Sequence, residues 1–152
     1  FLEQYEKNPT IDKNNDGIIQ YVMLEGEPGH QDTMIRTEAC IKTIQEAGIE
    51  LERLETYSAN WRRSQSKEVM EDWIEKYGEN IEVVFSNNDE MALGAVDAVQ
   101  SMGLPDGSIK IIGLDGIAEA KDGRADRYGA FDRPAGRYRK RNGQNRYSQS
   151  TL

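Results

Sequence analysis

The chain has 152 residues, a mean hydropathy of −0.77 and 37% hydrophobic residues, which suits one domain with a core of ordinary size. Its net charge of −8 hides a split: residues 1–120 hold 10 Lys and Arg against 24 Asp and Glu, while residues 121–152 hold 9 against 3. An acidic body argues against nucleic acid as its partner, since such binding is driven by neutralising phosphates; the lone Cys40 excludes an internal disulfide, and no apolar run reaches the length that crosses a bilayer.

In chain order, "FLEQYEKNP" reads as the end of a helix halted at Asn8-Pro9. Because the chain starts in mid-pattern without Met, its N-terminus is expected to be a cut end, and the lack of a signal peptide says nothing about location. Next, Asp12, Asn14, Asp16, Gly17 and Gln20 fall at the first, third, fifth, sixth and ninth positions of an EF-hand loop. The twelfth position, where a bidentate Glu should close the cage, is Met23. The loop runs instead into "GIIQYVMLEG", an apolar run of the kind buried on both faces of a parallel sheet.

From Asp32, "DTMIRTEACIKTIQEAG" sets Met34, Ile41 and Ile44 on one helical face and ends at Gly48, a natural cap. "IELERLETYSAN" alternates weakly and fits a strand. "SQSKEVMEDWIEKYG" carries Val69, Met70, Trp73, Ile74 and Tyr77 at helical spacing. "IEVVFSNN" is a short strand, "DEMALGAVDAVQSMG" an almost wholly apolar helix and "SIKIIGLD" another strand. Strand and helix thus alternate three times before a fourth strand. The fold class expected is α/β: a doubly wound, three-layer parallel sheet joined by right-handed crossovers.

The pattern then breaks. Between Asp122 and Thr151 there is no Ile, Leu, Val or Met, and Arg occurs seven times. Such a segment buries too little apolar surface to offset the ordering of its backbone. A basic nucleic-acid-binding arm is one reading. A shifted reading frame is preferred, because the tail starts where one more helix and strand are due. The domain is therefore placed at residues 1–120 and the Arg-rich tail at 121–152.

Open α/β sheets bind ligands at the carboxyl ends of their strands. After the first strand come His30 and Asp32, after the second Trp61, after the third Asn87, Asn88 and Asp89, and after the fourth Asp115. Arg36 lies one helical turn beyond Asp32. Asp and Asn oxygens accept from hydroxyls, Arg36, His30 and Asn88 donate to them, and an indole face covers the C–H face of a sugar ring. The set suits a neutral, hydroxyl-rich ligand; phosphate-cradling Gly-rich motifs are missing from the sequence. Each residue also has a plainer reading: Arg36 as a solvated helix residue, Trp61 as core, Asn87 to Asp89 as a helix cap, Asp115 as a turn.

From about Asn8 to Glu119 the sequence resembles the periplasmic galactose/glucose-binding proteins, also called methyl-galactoside-binding, of sugar transport and chemotaxis. "DKNNDGIIQYVMLEGEPGHQD", "ANW", "IEVVFSNNDEMALGAV" and "IGLDGIAEA" carry the resemblance. It implies one lobe of a two-lobed type I periplasmic-binding-protein fold, the C-terminal one, serving a membrane ABC permease and possibly, in that family, a chemoreceptor. The resemblance implies a monomer at the periplasmic or extracellular face of the membrane. It implies sugar contacts at His30, Asp32, Arg36, Trp61, Asn88 and Asp115, with D-galactose or D-glucose as the ligand. It also implies a structural Ca²⁺ held by Asp12, Asn14, Asp16 and Gln20 side chains, the Ile18 carbonyl and a bidentate Glu82 from a distant strand. Because the other lobe is not in this sequence, the chain is expected to bind sugar very weakly or not at all. Two other classes compete. The effector domain of a lactose-repressor-type regulator shares the fold, but a weak calcium site has no use in the cytosol. An enzyme using His30 and Asp32 lacks a nucleophile, Cys40 being inside a helix, so no enzymatic activity is expected.

Overall fold

The computed structural model describes residues 1–121, and its centre is the run that the sequence marks as apolar. Ile18–Glu25 forms β1, with Ile19 to Leu24 all buried. A strand buried on both sides needs covering layers above and below, and the chain supplies them in turn. The sheet has the order β2-β1-β3-β4, where β2 is Glu50–Ser58, β3 Val83–Ser86 and β4 Lys110–Ile112. Every pairing is parallel. The α/β fold class expected from the alternation is the one observed.

Alternate side chains of β1 feed two separate cores. Val22 and Leu24 join Val84 and Ile111 beneath α3 (Arg63–Tyr77) and α4 (Asp89–Ser101). Tyr21 and Met23 join Val83 and Phe85 beneath α1 (Leu2–Lys7) and α2 (Gln31–Glu46). Phe85 is the keystone of that second core, edge-on to both Phe1 and Tyr21 at ring separations of 5.4 and 5.3 Å. The first core is the larger, and each fully buried aliphatic there contributes about 1.5–3 kcal/mol. A short α5 (Ala118–Lys121) ends the described part, with Ala120 buried in the first core.

One expectation needs adjusting. Met34 does not face the core: it is 57% exposed, as is the neighbouring Ile35 at 53%, because the first turn of α2 turns Thr33 inward instead, and the apolar contacts of the helix with the second core come from Cys40, Ile41 and Ile44. β2 is an edge strand whose positions are exposed or half-buried, which explains its weak alternation in sequence. The Arg-rich tail from residue 122 onward, and both readings of it, lie outside the described residues.

In this strand order the chain runs from β1 outward to β2, then returns across β1 to β3 and β4. The order reverses between β1 and β3, and at such a switch point the connections leave in opposite directions and open a crevice. Glu25 ends level with Ser58, and Leu24 with Ser86, so the carboxyl ends of three strands share one edge.

Candidate functional site

A cleft of about 270 Å³ opens at that edge, lined by His30, Asp32, Arg36, Trp61, Asn88 and Asp115. These are the six residues proposed from the sequence for sugar contact. They come from four separate strand ends, so no local element brings them together; the sheet does.

Trp61 forms one wall. Asn60 and Trp61 have φ of 52° and 64°, two successive residues in the left-handed region, where a bulky side chain is a costly exception. The turn is held by an Ala59 N–H donating to Glu25 O at 2.8 Å and by Asn60 Nδ2 donating to Gln65 Oε1 at 2.9 Å. The indole lies against Gly26, where a Cβ would stand 2.1 Å from Trp61 Cζ2, so only glycine fits. The Ser58 hydroxyl donates to the Gly26 carbonyl, fixing the two strand ends together. His30 meets the indole edge-on at 5.5 Å, and the Arg36 guanidinium sits 5.6 Å from the ring centroid.

Arg36 is the cationic centre of the cleft. Its Nη1 donates to the Asn87 carbonyl at 2.7 Å and to Asp115 Oδ1 at 3.1 Å, while Asp32 Oδ2 lies 3.9 Å from Nη2. The donors not used here, and the second oxygen of each carboxylate, remain for a ligand. Asn88 caps α4, its Oδ1 accepting from Met91 N at 2.9 Å, while its Nδ2 reaches the Trp61 carbonyl at 3.4 Å. The capping role and the lining role thus belong to the same residue. His30 caps α2: its Nδ1 accepts from Asp32 N at 3.2 Å, which leaves Nε2 to carry the hydrogen of a neutral ring and to donate.

Sequence reasoning undervalued three residues beneath the cleft. Gly26 appears in it only within the run "DKNNDGIIQYVMLEGEPGHQD". Asn87, 3% exposed, accepts from Gly26 N at 3.2 Å and donates to Thr37 Oγ1 at 3.1 Å, joining β1, β3 and α2. Asp89 is fully buried and accepts from Ile117 N at 2.7 Å. The signal available was the "SNND" run itself, three polar residues following an apolar strand.

The Asx-rich loop lies at the opposite, amino-terminal end of β1. Its side-chain oxygens are turned onto its own backbone: Asp12 Oδ2 accepts from Gly17 N at 2.9 Å, Asn14 Oδ1 from Asp16 N at 2.9 Å and Asp16 Oδ1 from Ile18 N at 2.8 Å. The bond from Ile18 holds the Asp16 carboxyl below its usual value of 3.8. Glu82, 2% exposed and just ahead of β3, accepts from Lys13 N at 2.5 Å and from Gln20 N at 3.1 Å. The distant Glu therefore does meet both ends of the loop, and Lys13 Nζ adds bonds to the Glu79 and Ile81 carbonyls at 3.1 and 2.6 Å. Among the described residues no three His, Cys, Asp or Glu side chains converge as a bare metal cage. The donor set nevertheless fits a hard cation: Asn14 Nδ2 and Gln20 Nε2 both donate to Asp16 Oδ2 at 2.9 Å, and half a turn of the Gln20 amide would present oxygen in place of nitrogen, while Asn14 Oδ1 is already an acceptor in the loop.

Cys40 offers no nucleophile, since burial pushes its thiol up to about 11. Among the described residues no helix is long and apolar enough to cross a membrane.

Comparison with known proteins agrees with this architecture. Over 119 residues the chain is 40% identical to the D-galactose/methyl-galactoside binding periplasmic protein MglB of Haemophilus influenzae, covering 78% of this chain and 35% of that protein. The structure also matches an ABC transporter periplasmic solute binding protein from Actinobacillus succinogenes with bound D-allose, at 30% identity and a TM-score of 0.63 over 79% of this chain and 43% of that one. A Mycobacterium smegmatis protein in complex with β-D-fucofuranose matches at 29% identity and a TM-score of 0.67, over 83% and 39%. The chain spans about a third or less of the length of the curated relatives it matches, from 17% to 35%. Residues 4–127 match the periplasmic binding protein domain, which is most of the sequence, and with the parallel sheet and its switch-point cleft this makes the chain a member of that family.

Proposed function

We propose that this chain forms one wall of the ligand site of a monosaccharide-binding protein that serves an ABC importer at the periplasmic or extracellular face of the membrane. D-galactose or D-glucose is the ligand in this reading, with a membrane permease, and in some settings a chemoreceptor, as partner. The observation that carries it is the convergence of His30, Asp32, Arg36, Trp61, Asn88 and Asp115 in one cleft. Carboxylate acceptors flank a planar cation, as vicinal hydroxyls require, and an indole wall suits the apolar face of a pyranose. The relatives named for D-galactose and crystallised with D-allose support a sugar in general; the D-galactose preference leans on the 40% identity to the Haemophilus protein.

The same reading includes a structural Ca²⁺ at the Asx-rich loop. Asp12, Asn14, Asp16, Gln20, the Ile18 carbonyl and Glu82 would hold it, supplying the oxygen-only shell that Ca²⁺ prefers. Its contribution would be to clamp the loop against the start of β3, with no part in any reaction.

Ligand sites of this kind bury most of the ligand surface, and a single wall covers one side of a ring. Titration of D-galactose or D-glucose into the isotopically labelled chain, followed by NMR, tests the proposal. Shifts confined to the Trp61 indole and to amides of the six cleft residues are expected, with affinity on the order of millimolar or weaker. Shifts scattered away from the cleft, or none at about 0.1 M sugar, would overturn the sugar reading. Micromolar affinity would overturn the single-wall description.

A further inference from the structure

Asp115 stands in the loop between β4 and α5. It lies three residues beyond the end of β4, its side chain is 38% exposed, and its φ of 115° is in the region that side chains rarely adopt. A residue in such a conformation persists only where its surroundings over-determine it. One anchor is Arg36 Nη1, itself a cleft group. The other lies on the far side: Asp89 Oδ2 accepts from Ile117 N at 2.7 Å, two residues beyond Asp115. Asp89 has no exposed surface and stands at the first position of α4, whose amino-terminal dipole favours a carboxylate. That helix is rigidly seated, because α3 passes so close that a Cβ on Gly94 would lie 2.3 Å from the Arg63 carbonyl, and Ser66 Oγ donates to Met91 O at 2.5 Å.

The geometry assigns Asp89 as a positioning residue: through the Ile117 N–H it holds the loop after β4 so that Asp115 faces Arg36 across the cleft. The assignment deepens the proposed function and rests on that reading for its consequence, though its geometric part is independent of any ligand. Asn88 lines the cleft and its successor in the sequence places a second lining residue, so "SNND" acts on the site twice from one helix terminus.

The test compares the parent chain with D89N and D89A by amide hydrogen exchange and by the Arg36 side-chain NMR signal. An amide oxygen is a weaker acceptor than a carboxylate, so D89N should lower protection of Ile117 N–H about tenfold. The Arg36 guanidinium signal should shift as Asp115 moves, while amides of β1 such as Val22 keep their protection. D89A should lose Ile117 protection further. If D89A does not fold, D89N alone decides. Unchanged Ile117 exchange in D89N overturns the assignment, and so does an equal loss at Val22, which would mark a general structural role. Sugar titration forms a separate arm: where D89N loosens Ile117 but the parent shows no cleft shifts with D-galactose, the functional reading fails and the positioning role stands.

Discussion

At the scale of single residues, the site depends on residues that do not line it. Trp61 can lie flat beside the cleft only because Gly26 has no side chain, and its strained backbone is maintained by bonds from Ala59 and Asn60. Substituting Gly26→Ala places a methyl group inside the indole, and the ring must swing away because the strand end beneath it is tied to Ser58. Overpacking of this kind costs about 1–3 kcal/mol. The variant should unfold at lower urea concentration, and its Trp61 indole signal should lose the ring-current signature of the His30 contact. A G26A chain with parent stability and an unmoved Trp61 signal would show that the ring is not seated on the glycine. Sequence inspection found Trp61 from its place after the second strand, yet could not find Gly26, because close approach between two loops is invisible until the strands are paired.

At the scale of elements, the loop between Asp12 and Ile18 and the start of β3 behave as one unit joined by Glu82. Sequence spacing showed that the loop lacks its closing carboxylate, and the resemblance supplied Glu82; parallel pairing of β1 with β3 explains why a residue so far along the chain arrives there. Removing it with Glu82→Ala leaves the Lys13 and Gln20 amides without their acceptor, a loss of about 2–4 kcal/mol readable by urea titration. Calcium adds a second readout. With Ca²⁺ in excess the parent's melting temperature should rise, and chelation should reverse the rise, since a ligand that binds only the folded state stabilises it. E82Q, which keeps the shape but not the charge, should melt at the same temperature with and without the ion. A parent chain indifferent to Ca²⁺ would remove the ion from the proposal. The acid limb follows from Asp16, whose folded pKa lies below the unfolded value of 3.8. Its stabilising contribution is present above that value and disappears as pH falls through the lower folded one, so D16N should flatten the stability profile on the acid side of pH 3.8.

At the scale of the whole molecule, the α/β alternation was legible because β1 is apolar on both faces and α4 apolar nearly all round, patterns that only burial between layers explains. The six cleft residues were legible as a set because parallel strands deliver their carboxyl ends to one edge. What stayed hidden was tertiary: the outward turn of Met34 and the supporting roles of Asn87 and Asp89 depend on how α2 and α4 sit against the sheet, which periodicity does not encode. The two cores also bear on the Arg-rich tail. Among the described residues, both clusters draw on positions between Phe1 and Ala120. Residues 122–151 contain no Ile, Leu, Val or Met, so they bring almost none of the aliphatic surface that burial rewards. They do bring seven Arg, opposite in sign to the acidic body, and attraction of that kind between solvated charges is weak and screened by salt. A chain ended after Lys121 should therefore still unfold cooperatively, with a melting temperature within about 4 °C of the parent, a stability change of about 1 kcal/mol or less. Any remaining difference should shrink as salt is raised. Loss of cooperative unfolding in the shortened chain would mean that the tail carries part of the core, and that the boundary near residue 120 is wrongly drawn.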